Sequence, residues 1–242
     1  MSKLLVSLGG TCAVTYNIRK FQESKGHSLT RFPFDWAKTS IKQLNSVLEH
    51  DFKGYDKLEI KKFSESHPII DADFSGQSNQ RDDSYEVISE STKTQEDTPG
   101  SLILINSYKI TFAHQIIDKC FVDTFSHFLK EERVKAFQSL SNQNSELVSS
   151  RLVFIRFETG KLKNTYLADL NELIQLLSRY SPEKASLRLI VHRDNEELFR
   201  NHELVLKSEL NNVTFCFNIV YFDSFDEDWR YPKIDWESIF SS

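Results

Sequence analysis

Methionine is almost missing from this chain, at one residue in 242, while phenylalanine occurs 19 times, so the core is expected to be rich in aromatic rings. Cysteine is scarce as well. Cys12, Cys120 and Cys216 are unevenly scattered, which excludes a disulfide framework and suggests a reducing compartment. No stretch approaches the roughly 20 apolar residues that span a bilayer. Residues 1–6 are too short a run, too soon interrupted by Gly9-Gly10, to act as a signal peptide, and a cytoplasmic location is expected. Positive charge is not in excess either. The formal charge is −5, and no basic stripe interleaves with aromatics, which argues against a nucleic-acid or membrane-surface binder. There is no Cys-x-x-Cys or His-x-x-x-His pair, so no metal site is expected. Gly9-Gly10 lacks both the later glycine of a dinucleotide fingerprint and the lysine of a P-loop, and no cofactor is expected.

What is present reads as one domain over residues 1–242 of alternating strands and helices. Residues 3–8 form a short apolar run ended by glycines, a buried strand. A helix follows, with Thr11 as a candidate N-cap and Val14, Ile18 and Phe21 at helical spacing. A second helix is capped by Thr39 or Ser40 and places Ile41, Leu44, Val47 and Leu48 on one face. Residues 101–106 and 108–113 read as a hairpin. Later strands fall at 152–155, 187–191 and 213–222, separated by helices at about 123–147, from a cap near Asn164, and at 195–210. Strands alternating with helices predict an α/β fold, a three-layer arrangement with a largely parallel sheet flanked by helices and one β-hairpin. Between about 71 and 100 acids and small polar residues dominate, met only by Arg81 and Lys93. Such a segment is expected to be a mobile acidic insertion. An acidic-aromatic segment, 223–242, is expected to fold Trp229 and Trp236 back onto the body.

Chemistry concentrates at Ser7-Leu8-Gly9-Gly10-Thr11-Cys12. A strand that turns on glycines into a helix aims backbone N–H groups and the positive end of a helix dipole at whatever lies at the turn. A cysteine there gains thiolate character and suits nucleophilic attack, and Gly10 and Thr11 become candidate oxyanion donors. A buried, inert Cys12 is the competing reading. A thiolate nucleophile needs a histidine. His114 ends a predicted strand, and His192 ends another. Asp35, in an aromatic-proline loop, either orients a histidine or accepts N–H bonds from its own turn. Arg156, at a strand end, either clamps an anionic substrate or pairs with Glu158.

Ser7-Leu8-Gly9-x-x-Cys12, followed by Tyr16 and Arg19 on a helix and then by Pro33-Phe34-Asp35-Trp36, resembles a family of papain-like cysteine peptidases of otherwise unknown function. The strand ending at His114 and the one ending at Arg156 are similar to its later elements. The resemblance spans residue 3 to about 191 apart from the acidic insertion. It implies Cys12 as nucleophile, His114 as its partner, a protein or peptide substrate, and a papain-like α+β fold as the alternative to the α/β arrangement. This chain departs from the family where Gln115 replaces an aspartate after the histidine and where His192 stands in place of an asparagine, so Asp35 is the carboxylate carried as third member. Two other readings compete: an interaction module using the acidic insertion, and a transferase holding a phosphate or sugar nucleotide at Gly9-Gly10 with Arg156 as clamp.

Overall fold

Leu4, Leu5 and Val6 are all buried, although successive side chains of a strand point to opposite faces, so the first strand is covered on both sides. The computed structural model describes residues 3–10, 12–27, 30–62, 85–86, 102–112, 119–141, 151–181, 184–200, 214–224 and 233–241. In chain order the elements begin with β1 (Lys3–Ser7), α1 (Cys12–Ser24), β2 (Ala37–Lys38), α2 (Ile41–Glu49), β3 (Leu58–Lys62) and β4 (Tyr85–Glu86). There follow β5 (Leu102–Asn106), β6 (Thr111–Phe112), α3 (Lys119–Phe128), a π-helical turn (Leu129–Val134) and α4 (Lys135–Gln138). The remainder comprises β7 (Arg151–Glu158), β8 (Lys161–Leu162), α5 (Thr165–Ser178), β9 (Lys184–His192), α6 (Glu196–Arg200), β10 (Thr214–Phe222) and α7 (Trp236–Ser241).

The chain has a mixed α/β fold. β1, β7, β9 and β10 form a four-stranded sheet in that order, with every pair parallel and Lys3 in register with Arg151. One face packs Val6, Phe154, Leu187 and Leu189 against α2 and α5. The other packs Leu5, Val153, Ile155, Phe157 and Ile190 against Ala13, Val14 and Ile18 of α1 and Ile239 and Phe240 of α7. Trp236 stands edge-on to Phe157, with centroids 6.4 Å apart, while Trp229 lies outside the described residues.

The antiparallel part is larger than the expected hairpin. β5 and β6 do pair, around a turn in which Asn106 Oδ1 accepts from the N–H groups of Tyr108 and Ile110, both at 3.0 Å. β2 and β3 extend that pair to a four-stranded sheet, β2-β6-β5-β3. The two outer strands escaped the sequence reading because β2 is two residues long and three of the five residues of β3 are charged, Glu59, Lys61 and Lys62.

Helix ends follow local chemistry. Ser40 begins α2 in a capping box: its Oγ accepts from Gln43 N–H (3.2 Å) and Gln43 Oε1 accepts from Ser40 N–H (2.8 Å). Asn164 precedes α5 but is itself helical (φ −56, ψ −31) and makes no capping bond, contrary to the expected cap. The helix expected from Asp123 starts earlier, at Lys119, and is interrupted by the π turn. Of the acidic insertion only Tyr85 and Glu86 are described; they pair with Leu162 and Lys161. The stretch of the 195–210 helix beyond Arg200 lies outside the described residues.

Candidate active site at the end of the first strand

The parallel sheet brings the ends of its strands to one edge, and the β1 end is where backbone geometry is most constrained. Leu8 N–H still bonds to Ile155 O (2.9 Å), extending the β1–β7 ladder one residue. The chain then turns through Gly9 (φ +73) and Gly10 (φ +86), a left-handed pair that side chains disfavour. Space is also short. A Cβ on Gly10 would stand 2.1 Å from the Phe157 carbonyl oxygen, and one on Gly9 would stand 2.7 Å from Thr39 Oγ1. Cys12 opens α1 two residues later. Thr11, His114 and the side chain of Cys12 lie outside the described residues.

Thr39 and Arg156 hold this turn in place. Thr39 Oγ1 accepts from Gly10 N–H (3.2 Å) and from Arg156 Nη1 (3.0 Å), and it donates to Leu8 O (3.4 Å). Arg156, fully buried, also donates from Nη1 to Leu8 O (3.0 Å), from Nη2 to Thr39 O (2.7 Å) and from Nε to Glu158 Oε1 (2.5 Å). Each of its three nitrogens therefore has an acceptor inside the protein. The pairing with Glu158 is the one observed, and Tyr166 adds a hydroxyl donor to the same carboxylate oxygen at 2.8 Å. Gly10 N–H and Arg156 are thus committed to building the turn. Sequence reasoning missed Thr39 in this role because its position, beside a helix start, suggested only a cap.

A second polar group lies one helical turn further along α1. Thr15 Oγ1 is 3.2 Å from Ser7 Oγ and 3.5 Å from Asp35 Oδ1, and its one proton serves either acceptor in turn. The same oxygen accepts from Trp36 N–H (3.2 Å). Trp36 is held at φ +61, a conformation a bulky residue adopts at a cost of about 1–3 kcal/mol. Asp35 is buried, and its Oδ2 accepts from Phe32 N–H (2.8 Å). Burial raises its carboxyl pKa to about 6, against the opposing pull of the Phe32 N–H, Arg133, Thr15 and Arg31.

Arg133, in the π turn, is buried, lies 5.2 Å from the ring centres of both Phe125 and Phe128, and donates to the Asp35 carbonyl oxygen at 3.4 Å. Its position within the run Glu131-Glu132-Arg133 looks like a solvated helix face, so nothing in the sequence marked it. The cleft beside Asp35, which Thr15, Gln22, Arg31 and Trp36 also line, has a volume of about 30 Å³. That is room for a water or two, not for a substrate.

His192, the other strand-end histidine, faces a different neighbourhood. Its Nε2 is 3.2 Å from Asp223 O and its Nδ1 is 3.2 Å from Asp194 Oδ2, while Arg193 pairs with the Asp223 carboxylate. Among the described residues, no cluster of three or more His, Cys, Asp or Glu side chains is placed to hold a metal ion. No helix among them is long and apolar enough to cross a membrane.

The first strand of the parallel sheet thus turns on two glycines into a helix opened by cysteine. Residues 3–195 match the family described as "putative papain-like cysteine peptidase", and the chain belongs to that family. It is also similar to an uncharacterized protein of Acanthamoeba polyphaga mimivirus, 23% identical over 246 residues, covering 98% of this chain and 96% of that one. No solved structure matches.

Proposed function

We propose that this chain is a cysteine-dependent hydrolase or acyl-transfer enzyme acting on a protein or peptide, with Cys12 as nucleophile and His114 as its proton shuttle. The observation that carries this reading is the way β2 ties the two segments together. Gly9 packs against the Ala37 carbonyl and Thr39 on one side. Phe112, on the other, is in register with Ala37. His114 follows Phe112 by two residues, a reach of about 7 Å at most for extended chain. Asp35, two residues before Ala37, supplies the carboxylate we assign to orient the histidine.

In the reaction the Cys12 thiolate adds to the acyl carbonyl carbon, and the C=O π electrons move onto oxygen. That oxyanion is received by the N–H groups of Thr11 or Cys12, since Gly10 N–H is engaged by Thr39. His114 imidazolium protonates the leaving group as its bond to carbon breaks. Water, or an acceptor amine or alcohol, then attacks the thioester with His114 as base and releases the thiolate.

The test is alkylation of Cys12 by iodoacetamide, followed across pH by mass spectrometry, in the parent protein and in His114→Ala. We expect reactivity to persist well below the ordinary thiol range near pH 8.5 in the parent and to shift upward in the variant. Profiles that both follow free cysteine would refute the assignment.

A further inference from the structure

The face of the parallel sheet that carries α1 and α7 loses its apolar character sooner on β9 than on β7, where Val153 and Ile155 stand level with Ser186 and Arg188, and the strands turn polar toward their starts. Toward their N-termini the residues on that face become Lys3, Arg151, Ser186, Arg188 and Asn218, by the two-residue alternation from Leu5, Val153, Ile190 and Val220. Arg188 is 3% exposed, yet its Nε and Nη1 are buried with no hydrogen-bond acceptor, and the fully buried Ser186 Oγ beside it is unpartnered as well. Among the described residues no carboxylate pairs with Arg188 or Arg151. The cations instead press on one another. Burial first, then Arg151, lowers the pKa of Arg188; burial, then Arg188 and Arg151, lowers that of Lys3. Buried guanidinium groups in folded proteins are normally bonded, because an unpaired charge in a low-dielectric site is costly.

Arg188 lines an open cleft of about 540 Å³, together with Arg151, Asn218, Lys233 and Asp235. Among the described residues that line it the one carboxylate is that of Asp235, which already uses Oδ1 to accept Ser238 N–H (3.0 Å) at the start of α7. The volume falls in the range of small-ligand sites. A guanidinium fork matches the oxygens of a phosphoryl group.

We propose that this cleft, which no residue of the cysteine turn lines, binds the phosphoryl dianion of a small molecule, with Arg188 and Arg151 as its principal donors. The ligand's phosphoryl oxygens supply the acceptors that the Arg188 guanidinium lacks, and Arg151 shares the ligand's charge. It stands independently of the proposed peptidase chemistry.

The experiment is calorimetric titration of the full chain with inorganic phosphate and, separately, with adenosine monophosphate, repeated on Arg188→Met and Arg151→Met. We expect saturable binding that each substitution weakens at least tenfold. Tighter binding of the nucleotide marks a phosphate ester as the natural ligand, and equal or tighter binding of phosphate marks the free ion. Arg188→Met removes an unpaired buried charge, so without ligand it should unfold at or above the parental temperature. Arg151 is exposed, so its variant tests the site without disturbing the core. Absence of saturable binding by either ligand up to about 10 mM, where even contacts weaker than millimolar register, would overturn the proposal. So would titrations that neither substitution alters.

Discussion

Replacing Gly10 by alanine sets a methyl carbon 2.1 Å from the Phe157 carbonyl oxygen, less than any real Cβ tolerates, at a backbone φ of +86. Two costs follow. An L side chain in the left-handed region loses about 1–2 kcal/mol. The clash is with main chain of β7 and not with the flexible end of a side chain, so relief requires parting the β1–β7 ladder, an overpacking cost of about 1–3 kcal/mol. Together these amount to about 2–5 kcal/mol, or a fall in Tm of about 5–15 °C for a chain of this size. Gly26→Ala is the matched control. Its φ is +68, but a Cβ there meets nothing within 4 Å, so only the first cost applies, about 2–6 °C. Differential scanning calorimetry of both variants separates the dihedral cost from the steric one. Equal losses in the two would show that the close approach of the turn to β7 contributes nothing, and the account of why glycine stands at position 10 would fail.

Other consequences follow from the buried polar groups. Glu158→Ala leaves Arg156 charged, buried and short of its carboxylate, and should cost about 3–5 kcal/mol in urea unfolding, whereas the double variant Arg156→Met/Glu158→Leu should recover most of that loss. Thr39→Val strands Gly10 N–H and withdraws one acceptor of Arg156, for about 1–3 kcal/mol by the same assay. Asp35 has a folded-state pKa of about 6 against an unfolded value near 4, so the native state binds the extra proton between them and stability falls as pH rises through that window. Asp35→Asn should therefore be more stable relative to the parent at pH 7.5 than at pH 4.5, by about 2 kcal/mol, and a pH-independent difference between the two would contradict the burial argument.

The sequence was most legible where one physical signal dominates. The apolar runs at β1, β7 and β9 read as strands because both faces are covered, and the spacing of Ile41, Leu44, Val47 and Leu48 marked the buried face of α2, all four of them 0% exposed. Gly9-Gly10 marked the turn. What the pattern concealed was long-range. β2 is two residues long and exists only because β6, more than seventy positions away, pairs with it, and no local propensity encodes that. Arg156 offered two roles on sequence grounds. Only the meeting of Leu8, Thr39 and Glu158 around it decides between them, and those three positions span 150 residues. Arg188 shows in the sequence only as a break, an arginine inside Leu187-Arg188-Leu189 that interrupts the apolar pattern on either side of it.

Packing accounts for most of the residues that build the β1 turn. Gly9 and Gly10 are required by backbone angle and by space, Thr39 by the donors it receives, and Arg156 by the acceptors around it, so none of the four needs a catalytic reason to be there. Asp35 is different. An asparagine could accept the Phe32 N–H and meet the Thr15 hydroxyl equally well, and Arg133 reaches the Asp35 backbone oxygen, not its carboxylate. Hydrogen bonding at this position thus does not require a charge, and burial works against one. Local choices that oppose stability gather where a site has a use for them. The decisive comparison is consequently the pH profile of Cys12 alkylation in Asp35→Asn. A profile displaced from the parent's, in a variant whose stability relative to the parent rises between pH 4.5 and 7.5, ties the carboxylate to the thiol chemistry; an unchanged profile removes Asp35 from the site and leaves its ionisation as an unexplained burden on the fold.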